Sequence, residues 1–152
     1  MSEQSSSSPA HRCEYAAAFF LLRLFLGLRT LFAGIEKFES KGTYSVANYR
    51  DNMIHMAEGI TGASFLPLWS TRFFALSLGY LLLVLGAALL LGVKTRTTLF
   101  LTGLLYIALS FGLLAVQEAE GVAWLAIYVG LIAGALVLVR HDRFALWPDR
   151  HD

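Results

Sequence analysis

Residues 73–93 read FFALSLGYLLLVLGAALLLGV, residues 97–117 read TTLFLTGLLYIALSFGLLAVQ and residues 121–139 read GVAWLAIYVGLIAGALVLV, with only KTR and EAE between them. No charged residue interrupts any of the three runs. Each comes close to the ~20 residues that an α-helix needs to cross a hydrocarbon core. KTR and EAE are too short to be more than turns, so the three runs form consecutive membrane-spanning helices.

A fourth run precedes them, at 15–35, apolar except for Arg23 and Arg29. An arginine inside a span is costly but is tolerated where it faces protein or water. Arg23 would interrupt the apolar region of a cleaved signal peptide, and no small-residue cleavage site follows, so the run reads as a retained span. The whole composition agrees. Of 152 residues, 57% are hydrophobic and 15% charged, against ~25% charged in soluble domains, and the mean hydropathy is +0.60. A globule of this size cannot hide that much apolar surface. The expected fold is all-α, an integral membrane four-helix bundle over residues 15–140.

Twelve Lys and Arg against eleven Asp and Glu leave a net charge of +1. No basic stripe is available to track a phosphate backbone, which excludes nucleic acid as a partner. The single cysteine, Cys13, excludes an internal disulfide. It also excludes dithiol–quinone exchange, which needs a pair of thiols in one chain.

Four spans place both termini on one side. Arg12, Lys94, Arg96, Arg140, Arg143 and Arg150 lie there, whereas the opposite turn at 118–120 has no basic residue and the longer first loop holds Lys37, Lys41, Arg50 and Arg72, so on balance the positive-inside rule puts both termini in the cytoplasm. Trp69 and Trp124 then mark the outer interface and Trp147 the inner one. Residues 1–14, with serines at 5–8, read as a disordered cytoplasmic tail and 141–152 as a second one.

The first loop is too long for a mere connection. Within 46–60, Val46, Tyr49, Met53, Ile54, Ala57 and Ile60 recur at helical spacing, with Asn48, Asp51, Asn52, His55 and Glu58 on the other face. This predicts an amphipathic helix at the outer surface, ended by Gly59 and Gly62, with Pro67 leading into the second span. Inside the spans, small residues let helices approach closely. Gly27 and Gly34 share one face, as do Gly79 and Gly86, and Gly130 and Gly134 form a GxxxG. Internal packing is the simpler reading of these stripes, with Gly130, Gly134 and Arg23 as structural or lipid-contact positions.

None of the four histidines falls within a span, which argues against intramembrane haem, and one cysteine argues against an iron–sulfur cluster. No strand-borne G-x-G-x-x-G points to flavin. A metal at His55 with Met53 and Met56 is disfavoured, since a lone histidine beside apolar methionines is ordinary for an amphipathic helix. The informative residues are those in the first span. Arg29 and Glu36 fall within about 20° of one another on a helix, and Lys37 follows. Ser77 and Tyr80, Tyr106 and Ser110, and Tyr128 are available opposite. Arg29, Glu36 and Lys37 with Tyr80 or Tyr106 are the expected small-molecule site, suited to a quinone head group or a small anion. Glu36 is the only candidate carboxylate for proton coupling, and it sits at a helix end, which argues against a small exporter.

The string LRLFLGL at 22–28 followed by FAGIEKF at 32–38 resembles the opening of the DoxX-like family, which includes the DoxD small subunit of thiosulfate:quinone oxidoreductase. GAALLLGVKTR at 86–96 is similar to the end of that family's second span, and RFAL at 143–146 to its closing motif. No acidic residue stands between Arg72 and Lys94, where many members have one. The resemblance implies a four-helix protein of the bacterial cytoplasmic membrane, Arg23 and Lys37 as motif residues, and an accessory or membrane subunit of an oxidoreductase system. Such a chain has no redox centre of its own and needs partner subunits; the alternative is a purely structural subunit of a respiratory or photosynthetic complex. Membrane lipids and further subunits, or copies of itself, are the expected partners.

The orientation is testable. A cysteine at Glu120, in a chain whose Cys13 is serine, should react with an impermeant maleimide from outside the cell and not from the cytoplasm.

Overall fold

The computed structural model describes residues 9–40 and 42–141. Helix α1 spans Pro9–Glu36, α2 Val46–Ala63, α3 Leu68–Leu91, α4 Thr95–Ala115 and α5 Ala119–Leu138, and a 3₁₀ turn follows at Val139–His141. Two short antiparallel strands, β1 at Glu39–Ser40 and β2 at Thr43–Tyr44, join α1 to α2. Four of the five helices, all but α2, are long and apolar enough to cross a membrane. The chain is a multi-pass membrane protein with an all-α four-helix bundle.

Two boundaries differ from expectation. Helix α1 begins at Pro9, so residues 9–14 are helix rather than tail; proline suits a first turn, where its missing N–H has no partner to lose. The rest of the expected amino-terminal tail, residues 1–8, and the carboxyl-terminal one after His141 lie outside the described residues. The second difference concerns α2, which runs through Gly59 and Gly62 to Ala63. Ser64 stops it instead, its hydroxyl donating to the Ile60 carbonyl at 2.7 Å. At the other end Ser45 caps the helix, accepting from the Asn48 N–H at 3.0 Å.

Both tight turns between spans use one device. At the end of α3 the Gly92 N–H bonds the Leu89 carbonyl and the Val93 N–H bonds that of Ala88, with Gly92 at φ 69°. After α4, Gln117 and Glu118 make the same pair of bonds to Leu114 and Leu113, with Gln117 at φ 62°. This double closure satisfies the last free carbonyls of each helix and reverses the chain.

Helices α1 and α3 make the most extensive contact, and α4 and α5 the next. The α1–α3 seam is antiparallel and built on glycine. Leu90 lies over Gly27, Leu83 over Gly34, and the backbone of Leu31 over Gly86, so close that a Cβ on Gly86 would fall 2.6 Å from the Leu31 nitrogen. The predicted stripes on α1 and α3 are thus internal seams. The GxxxG of α5 is not: Gly130 and Gly134 face outward, with nothing within 4 Å of a Cβ placed on either.

The bundle core is Phe19, Leu26, Leu78, Leu82, Leu89, Leu99 and Ile132, capped by Tyr106. Large apolar residues such as Leu21, Phe32, Val84, Phe100 and Val137 are left exposed on its outside, as lipid solvation requires. A second cluster docks α2. Tyr49, Met53 and Ala57 are buried against Ala75 of α3, so most of the apolar face of α2 is covered by protein; Val46 stays exposed. The Tyr49 hydroxyl donates to the Leu76 carbonyl at 2.6 Å and accepts from the Gly79 N–H at 3.1 Å. The contact needs glycine, because a Cβ at 79 would run into the Tyr49 ring. Asn48 and Asn52 tie α2 to the strands by bonding the carbonyls of Thr43 and Glu39, each at 3.0 Å.

Two outcomes follow. Gly86→Val should destabilise the bundle by about 1–3 kcal/mol through overpacking, while Gly134→Ala leaves it unchanged, as read by unfolding in mixed micelles. Burial pushes the Tyr49 phenol above its ordinary value. A raised folded value means that the protonated hydroxyl stabilises docking fully below the unfolded value near 10.0, and that this stability is lost as pH climbs through the folded value. Unfolding midpoints should fall on going from neutral to strongly alkaline pH, and Tyr49→Phe should flatten that slope.

Candidate functional site

The α1–α3 seam fixes how α1 is turned. Gly27 and Gly34 lie on one flank of its buried arc, and Arg29 and Ala33 on the other, about 140° round from Gly34 to Arg29. That second flank opens on a cavity of about 440 Å³ between α1, α4 and α5, roofed in part by Met56 of α2. Its back wall is the buried pair Leu82 and Tyr106. Arg29, Glu36 and Trp124, all partly exposed, stand toward its mouth.

Arg29 is the chemical centre. Its Nε donates to the Tyr128 hydroxyl at 3.2 Å, and its guanidinium carbon stands 5.4 Å from the Tyr128 ring centre. Glu36 approaches at 3.9 Å, with 64% of its side chain exposed, so this ion pair is solvent-screened and worth no more than ~1 kcal/mol. Deeper in, the Tyr106 hydroxyl shares a 2.8 Å hydrogen bond with the buried Thr30, and the Tyr106 and Tyr128 rings lie 6.0 Å apart. Lys37 joins the lining just beyond the end of α1. The remaining walls are apolar, chiefly Leu109, Leu113 and Leu125.

Because the Tyr128 oxygen accepts from Arg29, its own proton is free to be donated elsewhere. The Nη of Arg29 that does not face Glu36 supplies further donors. An oxygen acceptor on a ligand therefore meets a fork of donors at the polar end of an apolar, aromatic-walled chamber, the usual make-up of a small-molecule site.

Of the expected site residues, the fold brings Arg29, Glu36, Lys37 and Tyr106 to one cavity. Tyr80 is elsewhere. On α3 it lies about 200° from Leu82, the residue that faces the cavity, and it packs instead with ring centres 5.8 Å from Phe38 and 5.3 Å from Tyr49. Ser77 and Ser110 give their hydroxyls to the carbonyls of Phe73 and Tyr106 one turn earlier in their own helices. Arg23 is buried toward the other end of α1, 5.6 Å over the Phe20 ring. Trp124 and Met56 were not anticipated in the site. Trp124 precedes Tyr128 by one helical turn, and that spacing was the available signal; Met56 had none. His55 is exposed, and among the described residues no group of three or more His, Cys, Asp or Glu is placed to hold a metal.

No family model, curated protein or solved structure matches this chain.

Removing one hydroxyl at a time separates the bonded tyrosines from the merely packed one. Tyr106→Phe strands the buried Thr30 hydroxyl and should cost about 1–3 kcal/mol. Tyr80→Phe should stay within about 0.5 kcal/mol of the parent. Unfolding in mixed micelles reads both.

Proposed function

We propose that the chain is a membrane subunit of a quinone-linked oxidoreductase system in the bacterial cytoplasmic membrane, with both termini in the cytoplasm, and that the Arg29 cavity takes the quinone head group. The observation that carries this reading is the Arg29–Tyr128 pair at the polar end of a chamber whose other walls are mainly leucine and aromatic. A charged side chain within a span is costly and is kept where it serves a ligand or a partner. A quinone carbonyl would accept from the Tyr128 hydroxyl and from Arg29, its ring would lie among Tyr106, Tyr128 and Trp124, and its tail would leave toward lipid. The quinone supplies the two-electron chemistry, and the protein positions it.

Electrons must then come from a partner subunit, by resemblance to the DoxX-like family one of thiosulfate:quinone type. The loop bearing α2 is the surface offered to that partner. A second reading, a non-catalytic structural subunit or a homo-oligomer, has one observation in its favour. Helix α5 buries the smallest share of its length of the four spans, and Gly130 and Gly134 lie open on its outer face.

Purification with native lipids, followed by quinone extraction, tests the first reading. The parent should retain close to one quinone per chain. Arg29→Leu and Tyr128→Phe should each lower quinone affinity at least tenfold, about 1.4 kcal/mol, with unfolding of at least one of the two unchanged. A chain that carries no quinone, and whose partners reduce quinone equally well without it, would leave the structural reading standing.

A further inference from the structure

Helices α3 and α4 are consecutive, joined through a tight turn, yet they touch far less than α1 and α3 do. Toward the α2 end they leave a wedge of about 500 Å³, walled by Phe74 of α3 and by Leu104, Ile107 and Phe111 of α4. Ile60 near the end of α2 and Leu66 of the following connection close the top. Leu104, Ile107 and Phe111 are each about half exposed, so the wedge opens sideways to whatever surrounds the spans.

What surrounds them at that depth is the bilayer. Water has too few polar partners to occupy such a lining, and an empty wedge would forfeit the dispersion contacts of every wall residue. Ser70 adds one hydroxyl to the rim, and that of Thr71 is already bonded within the protein. Thr71 Oγ1 shares a 2.6 Å hydrogen bond with Thr61 and reaches the Leu68 carbonyl at 3.1 Å. The neighbouring Arg72 is paired with Glu58 at 3.4 Å, so the rim offers no net charge to select a head group. An apolar lining that opens sideways among the spans suits a hydrocarbon chain.

We propose that the wedge holds one acyl chain of a phospholipid from the leaflet on the α2 side, as a resident part of the bundle. Recognition is of the chain rather than of the head group. The occupant completes the α3–α4 contact and supports the end of α2 from beneath. This stands independently of the quinone reading.

The full chain is reconstituted in phosphatidylcholine vesicles doped with a phosphatidylcholine that carries a photoreactive diazirine on its acyl chain, then irradiated, digested and mapped. Adducts at residues 70–74 and 104–112 should exceed those at outward residues of similar depth, Leu28 on α1 and Ile127 on α5, by at least threefold. Ala108→Trp, which fills the wedge, should bring wedge adducts down to the level of Ile127 and leave Ile127 itself unchanged. Equal labelling of all outward faces in the parent overturns the proposal, and this holds even where Ala108→Trp fails to assemble. Displacement of the adducts by a long-chain quinone would assign the wedge to an isoprenoid tail, and crosslinks between two copies would assign it to an interface; either result also overturns the proposal.

Discussion

The backbone-to-backbone approach of α1 and α3 at Leu31 and Gly86 governs the rest of the molecule. In lipid there is little hydrophobic drive between helices, and the attraction comes from close packing. Gly27, Gly34 and Gly86 let the two helices approach until leucine side chains rest on main chain. That contact sets the rotation of both helices at once. On α1 it sends Phe32 to lipid, Leu26 and Thr30 to the core and Arg29 to the cavity. On α3 it aims Leu82 at the cavity and leaves Tyr80 and Gly79 on the side where α2 docks.

The spans are legible in the sequence because the bilayer demands length and apolarity and little else, and because KTR and EAE stand where the chain must turn. Their ends shift by a few residues, since the closing bonds at Gly92 and Gln117 decide where a helix stops, and hydropathy carries no record of them. The shared face of Arg29 and Glu36 is also legible, being a property of one helix. Which tyrosine stands opposite is not. Tyr80, Tyr106 and Tyr128 are alike as sequence, and only the rotation of each helix against its neighbours separates the two that face Arg29 from the one that packs on Tyr49. The same limit applies to the glycines: spacing identifies a stripe, but the neighbour that Gly86 has and Gly134 lacks belongs to the assembled bundle.

Helix α2 connects what would otherwise be separate regions. It is held at Tyr49 by hydrogen bonds to the backbone of α3, and farther along it meets α4, where Ile60 lies against Gly112. Met56 faces the Arg29 cavity and Ile60, one turn on, faces the wedge. The two chambers thus lie under one rigid element, on either side of α4. A polar pocket in a membrane protein needs such a cover, because lipid cannot satisfy donors left without partners.

The Arg29–Tyr128 contact joins residues separated by 99 positions, and this separation orders events in time. A ribosome adding ~5–20 residues per second needs roughly 5–20 s between the emergence of one partner and the emergence of the other. Through that interval α1 waits in the membrane with its arginine lacking the hydroxyl that later receives it. Thr30 meets Tyr106 sooner, at a separation of 76. The pocket therefore closes only after α5 has emerged, and a chain truncated before α5 retains the α1–α3 seam but leaves Arg29 without its tyrosine partner in the bilayer, the kind of defect by which an unfinished membrane protein can be distinguished from a finished one.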